Sequence, residues 1–217
     1  MRMRKKKNLE RRLFAVRDYL PESPASYRGR WRTAFGEFRE LHLEIGCGKG
    51  KFVTEMAADR PDTLFLALEK ISDVLVMALE RAAALELPNV RFLLGDAETI
   101  PDLFAAREVD RLYINFCDPW PARRHEGRRL TSDRFLALYR EILSERADIW
   151  FKTDNRDLFE YSVTSFENNG FALSDVTRDL HGEGRYGGAM TEYETKFMAA
   201  GVPINRLVAR ILPRGAL

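Results

Sequence analysis

The feature that most constrains what this chain can fold into is an alternation. From about residue 41, short apolar runs take turns with longer amphipathic stretches. The apolar runs are LHLEIG (41–46), LFLALE (64–69), VRFLLG (90–95), RLYINF (111–116) and ADIWFKT (147–153). Each is rich in Leu, Ile, Val and aromatics and is bounded by Gly, Pro, Asp or Asn, the pattern of strands buried on both faces. The stretches between them repeat at helical period. Residues 72–86 place Val74, Leu75, Ala78, Leu79 and Ala82 on one face, behind Ser72 as the expected N-cap and ahead of Pro88 as a stop. Residues 50–59, 132–144 and 156–168 carry the same pattern. Asn169-Gly170 suits the end of the last, because both residues tolerate left-handed backbone.

Strands alternating with helices predict an α/β fold, a Rossmann-like, doubly wound and mostly parallel sheet. After Gly170 the style changes. FALSDVTRD (171–179) and YETKFMAAG (193–201) read as two strands around the Gly-rich HGEGRYGGAM (181–190), an antiparallel addition at the sheet edge. A chain of 217 residues is long enough for one self-sufficient core. No linker interrupts residues 36–217, read as one domain. Residues 1–35 read as a basic N-terminal extension with a helix near 8–19.

Charge is unevenly spread. Residues 1–33 hold eleven Lys and Arg against three acids, and the rest holds 24 against 30. A basic arm on an acidic body points to a polyanionic partner, nucleic acid first. No stretch of about 18 apolar residues exists to span a membrane. MRMRKKKNLERR leads into neither an apolar segment nor a cleavage site, so it is not a secretory signal. Two cysteines are too few for a disulfide framework, and His42, His125 and His181 are scattered without metal-ligand spacing. These traits predict a cytoplasmic protein with no metal.

Chemistry-bearing residues recur at the ends of the apolar runs. The first ends in Gly46-x-Gly48-x-Gly50 with Glu44 inside it; such glycines permit a tight turn and close approach of a ligand. The spacing is not the dinucleotide GxGxxG, whose third glycine would fall at Lys51, and this argues against a nicotinamide oxidoreductase. Glu69 ends the second run, where a carboxylate can take both hydroxyls of a ribose. Asp96 follows the third, placed to reach an adenine amino group with Ala97 offering its amide, or simply to cap a helix. After the fourth comes NFCDPWPARRHEGRRL (115–130). Two prolines stiffen the turn that carries Asp118 and Trp120, a carboxylate and an indole suited to a planar base. Arg123, Arg124, His125, Arg128 and Arg129 follow, suited to phosphates. Asp154 ends the fifth run, with N-cap of the next helix as its plainer role. Thr191, Glu192, Tyr193 and Glu194 open the expected last strand.

EIGCGKG, Glu69, GDA, NFCDPWP followed by ARRHEGRR, FKTDN and TEYE, in this order, resemble the bacterial tRNA (guanine-N7-)-methyltransferases over about residues 35–208. The resemblance implies a class I S-adenosylmethionine-dependent methyltransferase that forms 7-methylguanosine in the tRNA variable loop. It implies cofactor contacts at Glu44, Glu69, Asp96 and Asp118, with Asp118 also catalytic. It implies substrate contacts at Asp154 and at Thr191, Glu192, Tyr193 and Glu194, and RNA contacts from Arg124 to Arg129. The family usually has Lys where this chain has Ala122, so that contact is lost or passes to Arg123. The alternatives are another Rossmann-like methyltransferase, acting on an exocyclic amine or a protein side chain, and an RNA-binding module that keeps the fold without catalysis.

Overall fold

The computed structural model describes residues 8–185 and 188–212. Arg2, Arg4, Lys5, Lys6 and Lys7 of the basic arm, with Tyr186 and Gly187 of the Gly-rich loop, lie outside the described residues.

Among the described residues seven strands form one sheet: β1 (Glu40–Ile45), β2 (Thr63–Glu69), β3 (Val90–Leu94), β4 (Val109–Asn115), β5 (Leu143–Thr153), β6 (Phe171–Thr177) and β7 (Asn205–Ile211). The helices are α1 (Leu9–Ala15), α2 (Trp31–Ala34), α3 (Lys51–Asp59), α4 (Ser72–Ala84), α5 (Ile100–Leu103), α6 (Asp133–Ile142), α7 (Arg156–Asn168) and α8 (Glu192–Ala199). The strand order is β3-β2-β1-β4-β5-β7-β6. β1 to β5 run parallel, and β7 is antiparallel to both β5 and β6. The expected doubly wound, mostly parallel sheet is therefore present. Its antiparallel strand lies one place in from the edge.

Period-two alternation sorts the core into two layers. Leu64, Leu66 and Leu68 of β2 join Leu41, Leu43 and Ile45 of β1 on one face, under Phe135, Leu136 and Tyr139 of α6 and Leu158, Phe159 and Phe166 of α7. Phe65 and Ala67 of the same β2 face the other way, against Phe52, Val53 and Met56 of α3 and Leu75, Ala78 and Leu79 of α4. Every residue of β2 is buried, as a central parallel strand requires.

Three expectations are corrected. Residues 193–201 are not a strand. Thr191 Oγ1 accepts the Glu194 amide at 2.9 Å, a side-chain N-cap that starts α8, and the last strand is Asn205–Ile211. Ser72 is the first residue of α4 rather than its cap, which is Ile71 and makes no side-chain cap bond. The helix expected near 8–19 breaks at Val16, whose ψ of 20° separates α1 from a 3-10 turn at Arg17–Tyr19. Beyond that turn, which contacts β3, the chain packs against α5 on its way to Trp31. This residue is fully buried, and its indole nitrogen donates to the Leu103 carbonyl at 2.9 Å.

Candidate active site at the carboxyl edge of the sheet

Chain order runs outward from β1 in both directions, to β2 and β3 on one side and to β4 and β5 on the other. The loops leaving β1 and β4 therefore diverge and open a crevice at their carboxyl ends. Hydrogen bonds tie the strand ends into one edge. The Gly46 amide donates to Leu68 O (2.7 Å), the Gly95 amide to Glu69 O (3.1 Å) and the Phe116 amide to Lys152 O (2.8 Å). Gly46–Gly50, Glu69, Asp96, Asp118 and Asp154 all follow from this edge.

The glycine turn divides its labour. Gly46, Gly48 and Gly50 have φ of 77°, 58° and 78°, in the left-handed region where a side chain is disfavoured. A Cβ at Gly46 or Gly48 would meet nothing within 4 Å, so their backbone is open to a ligand. A Cβ at Gly50 would lie 2.6 Å from Ala78 Cβ, so this glycine serves the packing of α4.

Glu44 is buried on β1. Its Oε1 accepts a hydrogen bond from Asn115 Nδ2 at 3.0 Å, while its Oε2 and Asn115 Oδ1 have no partner among the described residues. Burial pushes this carboxyl up from its ordinary 4.5 to about 7, against the pull of the Asn115 hydrogen bond and the Lys152 charge. Two unpartnered buried acceptors beside the open glycine turn suit a ligand that brings a cationic donor.

Glu69 accepts from the Gly48 amide (3.1 Å) and the Ile71 amide (3.0 Å), and a carboxylate with four lone-pair positions keeps capacity for a ligand hydroxyl. Asp96 performs the capping role foreseen for it, accepting the Glu98 amide at 3.2 Å, yet its side chain stays exposed; Ala97 behind it is buried. Sequence reasoning missed Ile71 and Leu94, 44% and 50% exposed next to Glu69 and Asp96. They offer apolar surface to a planar ring where two acids offer acceptors. Their signal was faint, since aliphatic residues in apolar runs read as core.

Asp118 is exposed on the rigid turn after β4. The turn is strained, with φ of 53° at Phe116 and 41° at Trp120. Trp120 is half-buried rather than displayed: the Arg128 guanidinium lies 3.8 Å over its ring centroid and His125 meets its edge. Arg129 donates to the carbonyls of Pro119 and Trp120, so it braces the turn. Arg123 and Arg124 stand exposed in the 3-10 helix Arg123–Arg128, as does Ala122 before it. Asp154 does not cap α7. Asn155 does, its Oδ1 accepting the Leu158 amide at 2.8 Å, which leaves the half-buried Asp154 outside that task.

α8 brings the remaining residues to the same edge. Tyr193, 59% exposed, stacks at 6.3 Å on Phe116, two residues before Asp118, and on Phe197. Glu192 points elsewhere, pairing with Arg81 of α4 at 3.1 Å. Glu194 is buried, 2.6 Å from Lys152 Nζ and 3.3 Å from His181. Sequence reasoning passed over Lys152 and Asn115. Their signal was present, a polar residue at or next to the end of each of two apolar strands.

Comparisons with known proteins identify the family. A family model described as "Putative methyltransferase" matches residues 39–207. A protein of Geobacillus thermodenitrificans named tRNA (guanine-N(7)-)-methyltransferase is 48% identical over 209 residues, covering 96% of this chain and 97% of its own length. A protein of the same name from Streptococcus suis is 45% identical, covering 97% of this chain and 99% of its own. Among solved structures, the 16S rRNA methyltransferase KamB aligns with a TM-score of 0.62 at 16% identity, over 98% of this chain and 97% of that one, a likeness of fold. With relatives nearly half identical from end to end, this chain belongs to the tRNA (guanine-N(7)-)-methyltransferase family.

Proposed function

We propose that this protein transfers a methyl group from S-adenosylmethionine to N7 of a guanine in the variable loop of tRNA. One observation carries the reading. The glycine turn, Glu69, Asp96 and Asp118 follow successive strands joined at one hydrogen-bonded edge, in a chain 48% identical to a relative of that name.

When bound, the cofactor supplies an electrophilic methyl group. The open backbone at Gly46 and Gly48, the orphaned acceptor of Glu44 and the strand-end Glu69 fit it, as do Asp96, Ala97 and the apolar Ile71 and Leu94. Guanine N7 carries an in-plane lone pair that is unprotonated near neutral pH, so the chain needs no strong base. Its work is alignment, worth up to about 7–11 kcal/mol in well-oriented reactions. The purine gains positive charge as N7 is alkylated, and a carboxylate at Asp118 or Asp154 stabilises it. Exposed Arg123 and Arg124, with the basic arm, hold surrounding phosphates, and a variable-loop base is accessible where a helical one is not. No helix among the described residues is long and apolar enough to cross a membrane. The two free cysteines are in keeping with action in the cytoplasm.

The test is incubation with unmodified tRNA and isotopically labelled cofactor, followed by nucleoside analysis. Label in 7-methylguanosine is expected. Label on an exocyclic amine, or none in RNA, overturns the reading.

A further inference from the structure

A row of buried polar residues crosses the sheet just below the site. Glu44 on β1 bonds Asn115 on β4, and Asn115 is the register partner of Lys152 on β5. Lys152 in turn meets Glu194 of α8 at 2.6 Å. All four are at most 7% exposed. Desolvation lowers the Lys152 pKa, and the nearby Glu194 carboxylate opposes that. A buried ion pair is a poor source of stability, because the desolvation of both charges offsets their attraction. What it supplies is a fixed contact, tying β5 to the first turn of α8 at 2.6 Å.

That arrangement reaches the reacting edge. Glu194 lies in the first turn of α8, whose amide is capped by Thr191 Oγ1. Tyr193, its neighbour, stacks on Phe116, and Phe197 one turn later stacks on both at 6.3 and 6.0 Å. Phe116 begins the strained turn to Asp118 and is itself tied to β5 by the bond from its amide to Lys152 O. Lys152 thus contacts both sides of the aromatic stack, Phe116 through its backbone and α8 through its side chain. The pair also lines a cavity of about 260 Å³ with Phe52, Tyr113, Leu180 and Gly188, so it is not merely filler in a close-packed core.

We propose that Lys152 is a positioning residue for methyl transfer, holding Glu194 and with it the start of α8, so that Tyr193 and the Asp118 turn keep their relative placement. This rests on the function proposed above. Lys152 touches neither substrate nor cofactor in this scheme; it acts through Glu194.

The experiment compares full-length wild type with Lys152→Met, Glu194→Gln and the double variant Lys152→Met/Glu194→Gln. Steady-state kinetics on unmodified tRNA are read beside cofactor dissociation constants and melting temperatures. Wild-type formation of 7-methylguanosine tests the function itself, independently of the variants. For each single variant, kcat is expected to fall about 10- to 100-fold, the scale on which small misplacements act, while cofactor affinity stays within about twofold. The double variant is expected to be no slower than the worse single one, because both changes break one contact. Should Lys152→Met not fold, the double variant, which leaves no lone carboxylate buried, carries the same expectation of lowered kcat. A folded Lys152→Met or double variant with wild-type kcat and KM overturns the proposal. So does strict additivity of the two single effects, or a loss confined to melting temperature.

Discussion

Oε2 of Glu69 accepts a hydrogen bond from the backbone amide of Gly48 at 3.1 Å, across the ends of β2 and β1. One carboxylate thus shapes the glycine turn and offers its remaining lone pairs to the crevice. Glu69→Ala removes both functions. S-adenosylmethionine affinity is expected to fall about 10- to 100-fold, the range for a hydrogen bond to a charged group. Calorimetric titration checks it, and an unchanged dissociation constant would remove Glu69 from the cofactor site.

The glycines of that turn separate stability from binding. Gly50→Ala places a methyl 2.6 Å from Ala78 Cβ and 2.9 Å from its Cα, at a left-handed φ of 78°. A loss of about 2–4 kcal/mol is expected from overpacking and backbone strain together. Gly48→Ala meets nothing within 4 Å and bears only the strain, about 1 kcal/mol, while its new methyl intrudes on the ligand's approach. Urea unfolding and cofactor titration should therefore rank the two variants in opposite orders.

Glu44 makes stability depend on pH. Its folded pKa of about 7 lies above the ordinary 4.5, because burial disfavours the charged form. The native state therefore keeps a proton that the unfolded chain releases. The associated stability is complete below about pH 4.5 and is lost as pH rises through about 7, on the order of 3 kcal/mol in all. Glu44→Gln should flatten this part of the curve in ligand-free protein and weaken cofactor binding at pH 8. Chemical unfolding between about pH 4 and about pH 8, which bracket the two values, measures it; an unaltered slope in the variant contradicts the assignment.

Asp118 is exposed and bears no structural hydrogen bond in its side chain among the described residues, so its replacement should spare the fold. Asp118→Asn is expected to slow single-turnover methylation about 100-fold or more, the scale of a lost transition-state electrostatic contact. The melting temperature should hardly move. Near-wild-type single-turnover rates would end its catalytic role.

Arginines of the 123–129 segment are expected to differ in kind. Arg123→Ala and Arg124→Ala should each lower the log–log salt slope of tRNA binding by about 1, one phosphate contact apiece. Arg129→Ala should instead lower stability, because its guanidinium holds the carbonyls of Pro119 and Trp120. A salt slope near zero for the wild type would contradict phosphate binding altogether.

How far the sequence spoke can be judged from particular residues. Leu64 to Glu69 declared a buried parallel strand without help, and the glycine turn and the stiff Asp118-Pro-Trp-Pro turn declared the ends of two neighbouring strands at one edge of the sheet. Local signals sufficed there because strand burial and turn geometry are written in adjacent residues. Tyr193 to Gly201 misled, since their mixed apolar and polar order suits a strand as well as a helix. The choice fell to a Thr191 cap and to Glu194 meeting Lys152, 42 residues away in the chain. Trp120, Arg128 and Arg129 likewise looked like free recognition groups until their mutual contacts were visible.

By itself, then, the sequence determined the α/β alternation, the order of the parallel strands' chemistry-bearing ends and the family resemblance, all properties of short-range pattern. Tertiary structure alone decided which glycine packs and which stays open, which arginines are engaged, and that Glu44, Asn115, Lys152 and Glu194 form one buried row. Those outcomes depend on desolvation and on contacts between residues distant along the chain, and neither is expressed in local order.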